Sequence, residues 1–317
     1  MYRRMLVLLD GSELAEMALI YARELAGRLD IDLTLLHVSS PAARATVPMQ
    51  RAYVQHAAEI MQKEARIVQK KTGLKPKGRL VKVRGELVEG YPAEEILHYA
   101  EENDIDLILM ATHGRSGARR WSMGSVAGKI LNASRIPVWL VQTRAHEEIP
   151  YDKWPDKTIL VPLDGSNLAE SVLPHVEAIA GQRNTEQMEV VLLRISEPPA
   201  IPTYYGTDIT GASIDWGSYT QQETVRRKKS AENYLAEIEK KLKESKINVT
   251  AKVIEGKAKD EIVDYANKHP HSLIIMASHG RSGLSRLVYG SVAANLLHGV
   301  SNPIFLIKPQ LIDTKQD

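Results

Sequence analysis

The sequence predicts an α/β fold of two tandem, doubly wound domains, and three observations lead to this prediction. The chain has 317 residues and 44% hydrophobic content, which is enough to bury the cores of two domains of ordinary size. Short apolar runs alternate with longer stretches of helical period, a pattern typical of a parallel sheet covered by helices on both faces. The third observation is that the sequence blocks of the first half return in the same order in the second half.

The repeat also indicates the domain boundaries. The recurring blocks are MLVLLDGSELAEMAL at 5–19 with ILVPLDGSNLAESVL at 159–173, DLTLLHVS at 32–39 with EVVLLRIS at 189–196, and IPVWLVQ at 136–142 with NPIFLIK at 302–308. A charged stretch with two prolines and no apolar period lies between the halves and is typical of a linker. We therefore predict one domain over residues 1–145, a linker over 146–157 and a second domain over 158–317.

The elements of the first half follow from the period of its apolar residues. Continuous apolar runs predict strands at Met5–Asp10, Asp32–Val38, Arg79–Arg84, Asp106–Thr112 and Pro137–Gln142. Helical period predicts helices at Glu13–Leu29, Arg51–Lys71, Ala93–Asn103 and Ser125–Ala133. We expect the second half to repeat this order apart from a long polar loop at 196–220, which is either a lid or a disordered excursion.

Composition excludes several classes of function. The net charge of +2 is too small to predict binding to nucleic acid or to anionic membranes. The absence of cysteine excludes disulfides, thiolate zinc sites and a cysteine nucleophile. No apolar run reaches the roughly 18 to 20 residues of a membrane span, and the run at 5–9 is too short for a signal peptide. We expect a soluble cytoplasmic protein.

A glycine-rich loop, ATHGRSGARRWSMGS at 111–125, is the first candidate site. It joins a buried strand to a helix, so unpaired amides and the positive end of the helix dipole face the carboxyl end of the strand. Ser116 and Ser125 can add hydroxyl donors and Arg115 a countercharge for phosphate. The alternative is that Gly114 and Gly117 only permit an irregular turn. The loop recurs in the second half, with 13 of 21 positions identical between 106–126 and 272–292.

The second candidate is the motif LDGS, which contains Asp10 in the first half and Asp164 in the second. A carboxylate at the end of a first parallel strand can accept from ribose hydroxyls or help hold a metal near phosphates. The alternative is a helix N-cap, because Glu13 follows Asp10 at the spacing of a capping box.

Other features carry weaker signals. His113 and His279 have no neighbouring ligand at metal spacing and are expected to be structural. Neither glycine loop contains a G-x-S-x-G elbow or a Walker lysine. The charged segment 225–246 has apolar residues at helical spacing, so a solvated amphipathic helix is favoured over a nucleic-acid patch.

At these loops the sequence resembles the universal stress protein family in its tandem form, over Met5–Gln142 and Ile159–Lys308. The family's nucleotide motif is a glycine, two residues, a glycine, nine residues, and then glycine with serine or threonine. Here the motif reads Ala111, Gly114 and Gly124-Ser125, and again Ala277, Gly280 and Gly290-Ser291. Both copies depart at the first glycine. If that position needed positive φ, the added methyl group would weaken phosphate binding.

The resemblance implies a Rossmann-like, five-stranded parallel sheet of order 3-2-1-4-5 in each half, with ATP, or ADP or AMP, bound at the switch point and Mg²⁺ held through the phosphates near Asp10 and Asp164. It also implies that the backbone of Val38 or Ile195 reaches the adenine. The candidate nucleotide-binding residues are Asp10, Val38, Ala111, His113, Gly114, Arg115, Ser116, Gly117, Gly124 and Ser125 in the first half, and Asp164, Ile195, Ala277, His279, Gly280, Arg281, Ser282, Gly283, Gly290 and Ser291 in the second.

Pairing through the fifth strands is a further implication of the resemblance. The apolar runs 138–141 and 304–307 are edges that need covering, either by each other in a pseudo-dimer or by a second chain in a homodimer.

Three functions remain open at this stage. The first is an ATP-binding stress or signalling protein without a catalytic residue, the second is a dimeric scaffold that binds no nucleotide, and the third is a slow ATPase. Ser285 and Leu287 replace Arg119 and Trp121 in the second loop, so we also expect unequal affinities at the two sites.

Overall fold

The computed structural model describes residues 1–73, 79–112, 123–142, 158–182, 188–199, 216–270, 272–279 and 289–309. These residues form ten strands and nine helices, with a short 3-10 segment at Pro41–Thr46. In this part of the chain, no helix has an apolar stretch long enough to cross a bilayer.

The first half alternates strand and helix as expected. Its elements are β1 (Arg4–Leu9), α1 (Glu13–Leu29), β2 (Asp32–Ser39), α2 (Val47–Lys71), β3 (Val83–Glu89), α3 (Pro92–Glu102), β4 (Leu107–Ala111), α4 (Ser125–Ala133) and β5 (Val138–Val141). Helix α1 has Ser12 as its N-cap, with acidic residues in its first turn and Arg28 in its last. The serine caps a free N–H group, and the charged residues complement the helix dipole at its two ends.

The second half repeats the order with one break. Its elements are β6 (Ile159–Pro162), α5 (Asn167–Glu170), α6 (Leu173–Ala180), β7 (Glu189–Ser196), α7 (Trp216–Glu244), β8 (Asn248–Glu255), α8 (Ala258–Lys268), β9 (Leu273–Ala277), α9 (Ser291–Gly299) and β10 (Ile304–Ile307). The single helix α1 is replaced by α5 and α6, and a proline stands in the first turn of α6, where its missing N–H costs least.

All ten strands form one sheet of order β3-β2-β1-β4-β5-β10-β9-β6-β7-β8. Each half is parallel and has the order 3-2-1-4-5, which confirms the predicted doubly wound fold. Strands β5 and β10 pair antiparallel, so the fifth strands of one chain cover each other. Pairing through the fifth strands is therefore confirmed in its pseudo-dimer form.

The two faces of the sheet carry two apolar cores, and each core contains residues from both halves. Helices α1, α2, α5, α6 and α7 cover one face, and α3, α4, α8 and α9 cover the other. At the junction, Trp139 pairs with Phe305 in the β5–β10 register, and their ring centroids lie 5.3 Å apart. The Tyr2 hydroxyl also hydrogen-bonds Nδ1 of His175 across the junction. The halves are thus packed as one continuous body at this seam.

Strand β3 lies later than the prediction of Arg79–Arg84, which was wrong. The apolar residues of segment 79–84 suggested that it would pair as a strand. In the structure, however, the N–H of Val81 donates to Oε1 of Gln69 (3.2 Å) and that of Lys82 donates to Oδ1 of Asp32 (2.9 Å). Side chains therefore take the backbone donors that a strand would use. Pairing with β2 begins only at Val83.

Two helix boundaries also differ from the prediction. Helix α2 begins at Val47 rather than Arg51, with a proline in its first turn. Helix α7 begins at Trp216, so the end of the predicted loop 196–220 is helical. Residues 200–215 of that loop and the linker 146–157 lie outside the described residues. Helix α7 is amphipathic, as the pattern at 225–246 indicated, and buries Ala231, Leu235, Ile238 and Leu242.

Candidate functional site

A cavity of about 740 Å³ lies at the carboxyl ends of β6, β7 and β9 in the second half. This volume falls within the usual range of small-molecule sites, roughly 300–1,000 Å³. Residues 223–231 of α7 and the first turn of α9 form two of its walls. The predicted residues that line it are Asp164, Ile195, Ala277, His279, Gly290 and Ser291. The structure therefore brings these six residues to one crevice, at the point where strand order reverses.

The LDGS loop holds its aspartate by a local hydrogen-bond pattern. The backbone N–H and the hydroxyl of Ser166 donate to Oδ1 of Asp164 at 2.9 and 2.6 Å, and Oγ of Ser166 accepts from the N–H of Ala169 at 3.2 Å. Ser166, not Asp164, is therefore the N-cap of α5. Gly165 has φ +82°, a left-handed conformation that favours glycine.

The first-half loop has the same geometry. Ser12 donates to Oδ1 of Asp10 at 3.0 Å from its N–H and at 2.6 Å from its hydroxyl, and it caps α1. The alternative interpretation of Asp10 as the N-cap in a capping box with Glu13 was therefore wrong, because the serine two residues later occupies that position.

A glycine N–H group joins the helix after each fourth strand to the end of that strand. The N–H of Gly290 donates to the carbonyl of Ser278 at 2.9 Å, and that of Gly124 donates to the carbonyl of Thr112 at 3.0 Å. These bonds hold the N-terminus of α9 and that of α4 at a strand end. Neither N-cap glycine supplies a side-chain cap, so the first-turn amides of these helices are available to an anion.

The glycine loops themselves lie mostly outside the described residues. These include His113, Gly114, Arg115, Ser116 and Gly117 in the first half, and Gly280, Arg281, Ser282 and Gly283 in the second. Their predicted contacts with phosphate stay predictions.

The alanines that replace the first motif glycine stand in ordinary strand positions. Ala277 ends β9 and pairs with Ile307, and Ala111 ends β4 and pairs with Val141. Neither has a positive φ. The backbone at these positions therefore does not require glycine, which removes the conformational objection to alanine.

His279 is buried beside Ser278, whose hydroxyl lies 3.0 Å from its Nδ1. It lines the cavity without a cluster of further ligands. Among the described residues, no group of three His, Cys, Asp or Glu side chains is placed to hold a metal ion.

Sequence reasoning predicted Ile195 but missed Arg194 and Ser196 of β7, and it missed the residues that α7 brings to the cavity. The guanidinium of Arg194 lies 4.5 Å above the ring of Tyr234 and beside Gly165. Burial raises the pKa of Tyr234, and the nearby carboxylate of Glu170 raises it further. The block EVVLLRIS was recognised as part of the repeat, but the strand-end position of Arg194 and Ser196 was the signal that would have found them.

Helix α7 contributes a charged wall. Nε of Arg227 lies 2.9 Å from Oε1 of Glu223, and Nη1 of Arg227 donates to the carbonyl of Glu197 at 3.3 Å. Oε1 of Glu197 in turn accepts from the N–H of Ala258 at 2.9 Å. Because these charges engage one another, the wall positions polar groups without giving the cavity a large net charge.

Comparison with known proteins places the chain in one family. The model of the universal stress protein family matches residues 1–142 and 156–308. The chain is 33% identical over 148 residues to the universal stress protein YxiE of Bacillus subtilis (strain 168), an alignment that covers 45% of this chain and 100% of YxiE.

Solved structures share the fold. The chain resembles a universal stress protein from Archaeoglobus fulgidus DSM 4304 with a TM-score of 0.59 and 17% identity, covering 96% of this chain and 98% of that chain. A universal stress protein in complex with cAMP aligns with part of the chain, with 20% identity, a TM-score of 0.34, and coverage of 45% of this chain and 98% of that chain.

Proposed function

The chain belongs to the universal stress protein family, and from that premise we propose that it binds ATP in the crevice of its second half and acts as a nucleotide-responsive stress or signalling protein of the cytoplasm. The observation that carries this proposal is the cavity of about 740 Å³ at the carboxyl ends of β6, β7 and β9. It combines groups suited to phosphate, ribose and base in the order in which a nucleotide presents them.

The phosphate end is the N-terminus of α9. Its first-turn amides have no side-chain cap, and the helix dipole favours a negative charge there. Gly290 lets the backbone approach phosphate oxygens closely, and the hydroxyl of Ser291 is a further donor.

The ribose end is the LDGS loop. The carboxylate of Asp164 is oriented by Ser166 and lines the cavity. It can accept from ribose hydroxyls, or it would be the protein oxygen nearest to a Mg²⁺ ion carried by the phosphates. Such an ion would supply countercharge to the triphosphate.

Apolar side chains line part of the remaining cavity, which suits a nucleobase. Ile195, Ile262 and Met276 line it together with polar groups at its margin. The acidic side chains of this region are engaged, since Glu223 pairs with Arg227 and Glu197 accepts from a backbone amide. This arrangement supports binding of ATP rather than its rapid turnover.

The test is titration of the full chain with Mg-ATP, together with analysis of nucleotide released from freshly purified protein by denaturation. We expect wild-type protein to bind ATP, and the variant Gly290→Ala to weaken binding at the second-half site about tenfold or more. In the free protein the added Cβ would lie 3.5 Å from the carbonyl of Ser278, which is ordinary contact, so the fold should be unaffected.

Two glycine variants serve as controls. Gly124→Ala changes the equivalent position of the first half and should leave the second-half site intact. Gly128→Ala lies inside α4, where an added Cβ meets nothing within 4 Å, and should leave all binding unchanged. Absence of binding at millimolar ATP would contradict the proposal and favour a scaffold role.

A further inference from the structure

The hydroxyl of Ser196 is a buried polar group that has no hydrogen-bond partner among the described residues. Ser196 ends β7, is 5% exposed and lines the cavity. Within the part of the chain that the structure describes, its Oγ makes no hydrogen bond, whereas its backbone carbonyl accepts from the N–H of Gly256 at 3.2 Å. Buried hydroxyl groups nearly always have a partner, so an unpaired one beside a cavity indicates a partner that enters with a ligand.

The first half has the same feature at the equivalent position. Ser39 ends β2, is 1% exposed, and its Oγ also has no partner in the described ranges. Its carbonyl accepts from the N–H of Gly90 at 2.9 Å, as that of Ser196 does from Gly256. The unpaired hydroxyl is therefore built into both copies of the fold, in surroundings that otherwise differ.

The position of Ser196 in the sheet assigns it to one end of a bound nucleotide. Strand β7 lies two strands away from β9, because β6 runs between them. Neighbouring strands are about 4.8 Å apart, which places the end of β7 about 10 Å from the α9 end of the crevice. With phosphate at α9 and ribose at Asp164, the group that reaches Ser196 is the base.

We propose that the Ser196 hydroxyl hydrogen-bonds the polar edge of the nucleobase and so contributes to base specificity at the second-half site; this inference rests on the proposed function. A hydroxyl can donate and accept, so it suits the mixed donors and acceptors of a base edge. Ser196 is accordingly a specificity residue whose effect depends on the base and not on the phosphates.

The experiment compares Ser196→Ala, Ser196→Thr and wild type for binding of ATP, GTP and inorganic tripolyphosphate to the full chain. The second-half site is identified as the one weakened by Gly290→Ala. We expect Ser196→Ala to weaken ATP binding there about three- to tenfold, the loss of one hydrogen bond, and to leave tripolyphosphate binding and the melting temperature unchanged. Ser196→Thr, which keeps the hydroxyl, should retain affinity for ATP, and the ratio of ATP to GTP affinity should change only in the alanine variant.

Ser171→Ala is the matched control, because its hydroxyl already donates to the carbonyl of Leu168 at 2.6 Å. Wild-type affinity for ATP in Ser196→Ala would overturn the inference while leaving the proposed function intact. An equal loss for ATP and tripolyphosphate would also overturn it, since the hydroxyl would then act on the phosphate end. Failure of wild-type protein to bind any of the three ligands would overturn both.

Discussion

The two halves of the chain share a scaffold and differ in the side chains that face their crevices. Both have a left-handed glycine in the LDGS loop, a serine cap beside it, and a glycine amide that closes onto the end of the fourth strand. The second strand differs, with His37 in the first half at the position of Arg194 in the second. The glycines and the serine caps therefore determine the shape of the backbone around each crevice. The second strand and the helix after it determine which side chains line it.

The helices after the second strands can be aligned through one tyrosine in each half. Tyr53 meets His37 edge-on, with ring centroids 6.3 Å apart, and Tyr234 lies under Arg194 at 4.5 Å. Counting back three residues from each tyrosine aligns Gln50 with Ala231. Gln50 is buried and its Oε1 has no partner among the residues that the structure describes, whereas Ala231 is buried in the cavity wall. The second half thus has an alanine in its cavity wall where the first half has a buried glutamine.

The largest effect is expected at the seam that the halves share. Trp139→Ala and Phe305→Ala each remove a fully buried ring, so each should lower the free energy of unfolding by about 3–5 kcal/mol. Denaturant unfolding measures this loss. Because the two rings contact each other, the double variant should cost less than the sum. A large loss in only one single variant would show that the halves do not contribute equally to the seam.

The next effect concerns the Gln50 and Ala231 pair. Ala231→Gln should fill the cavity and weaken ATP binding at the second-half site about tenfold, or about 1.4 kcal/mol. Gln50→Ala removes a buried carbonyl without a partner, and should leave that site unchanged with little loss of stability. Isothermal titration measures both, with the exposed substitution Glu232→Gln as control. Unchanged affinity in Ala231→Gln would place the nucleotide elsewhere.

A smaller effect separates backbone strain from side-chain packing in the LDGS loops. Gly11→Ala and Gly165→Ala put a Cβ at φ +79° and +82°, which should cost about 1–2 kcal/mol each in thermal or denaturant unfolding. In the second half the new Cβ also lies 2.6 Å from Nη1 of Arg194 and must displace it. Equal losses of ATP affinity at the two halves would mean that the position of Arg194 does not matter to the site.

The last effect is a pH dependence that arises at His175 of the second half. Burial lowers the pKa of His175 to about 4, whereas the residue at the same position of the first half is Tyr21, whose pKa is raised by burial. The unfolded state binds a proton near pH 6.5 and the folded state only near pH 4, so stability should fall as pH drops between these values. Denaturation midpoints at pH 7 and 4.5 should differ less in His175→Phe than in wild type. The control is the exposed substitution His98→Gln.

The fold was predictable because its sequence signals are local and occur in both halves of the chain. Apolar strands, the serine after each LDGS glycine and the repeat order determine the doubly wound halves, and Glu13–Leu29 and Ser125–Ala133 form the predicted helices. Strand β3 was misplaced because Gln69 and Asp32, distant in sequence, bond the backbone before it.

The candidate site was predictable only in part. Asp164, Ala277 and Gly290 lie in motifs, and the cavity contains them. Ser196 ends a strand, a position that could have indicated it, whereas Arg227 lies inside a long charged helix, where neither residue type nor spacing indicates a ligand. Their contribution depends on the packing of α7 against β7, which only the tertiary structure gives.

The antiparallel junction of β5 with β10 also determines on which edges of the sheet the two crevices open. Since every strand of one half runs opposite to those of the other, the two crevices open on opposite rims of the sheet. Each rim therefore presents one crevice mouth next to the amino-terminal strand ends of the other half. A rigid molecule in contact with one rim can therefore reach only one of the two crevice mouths.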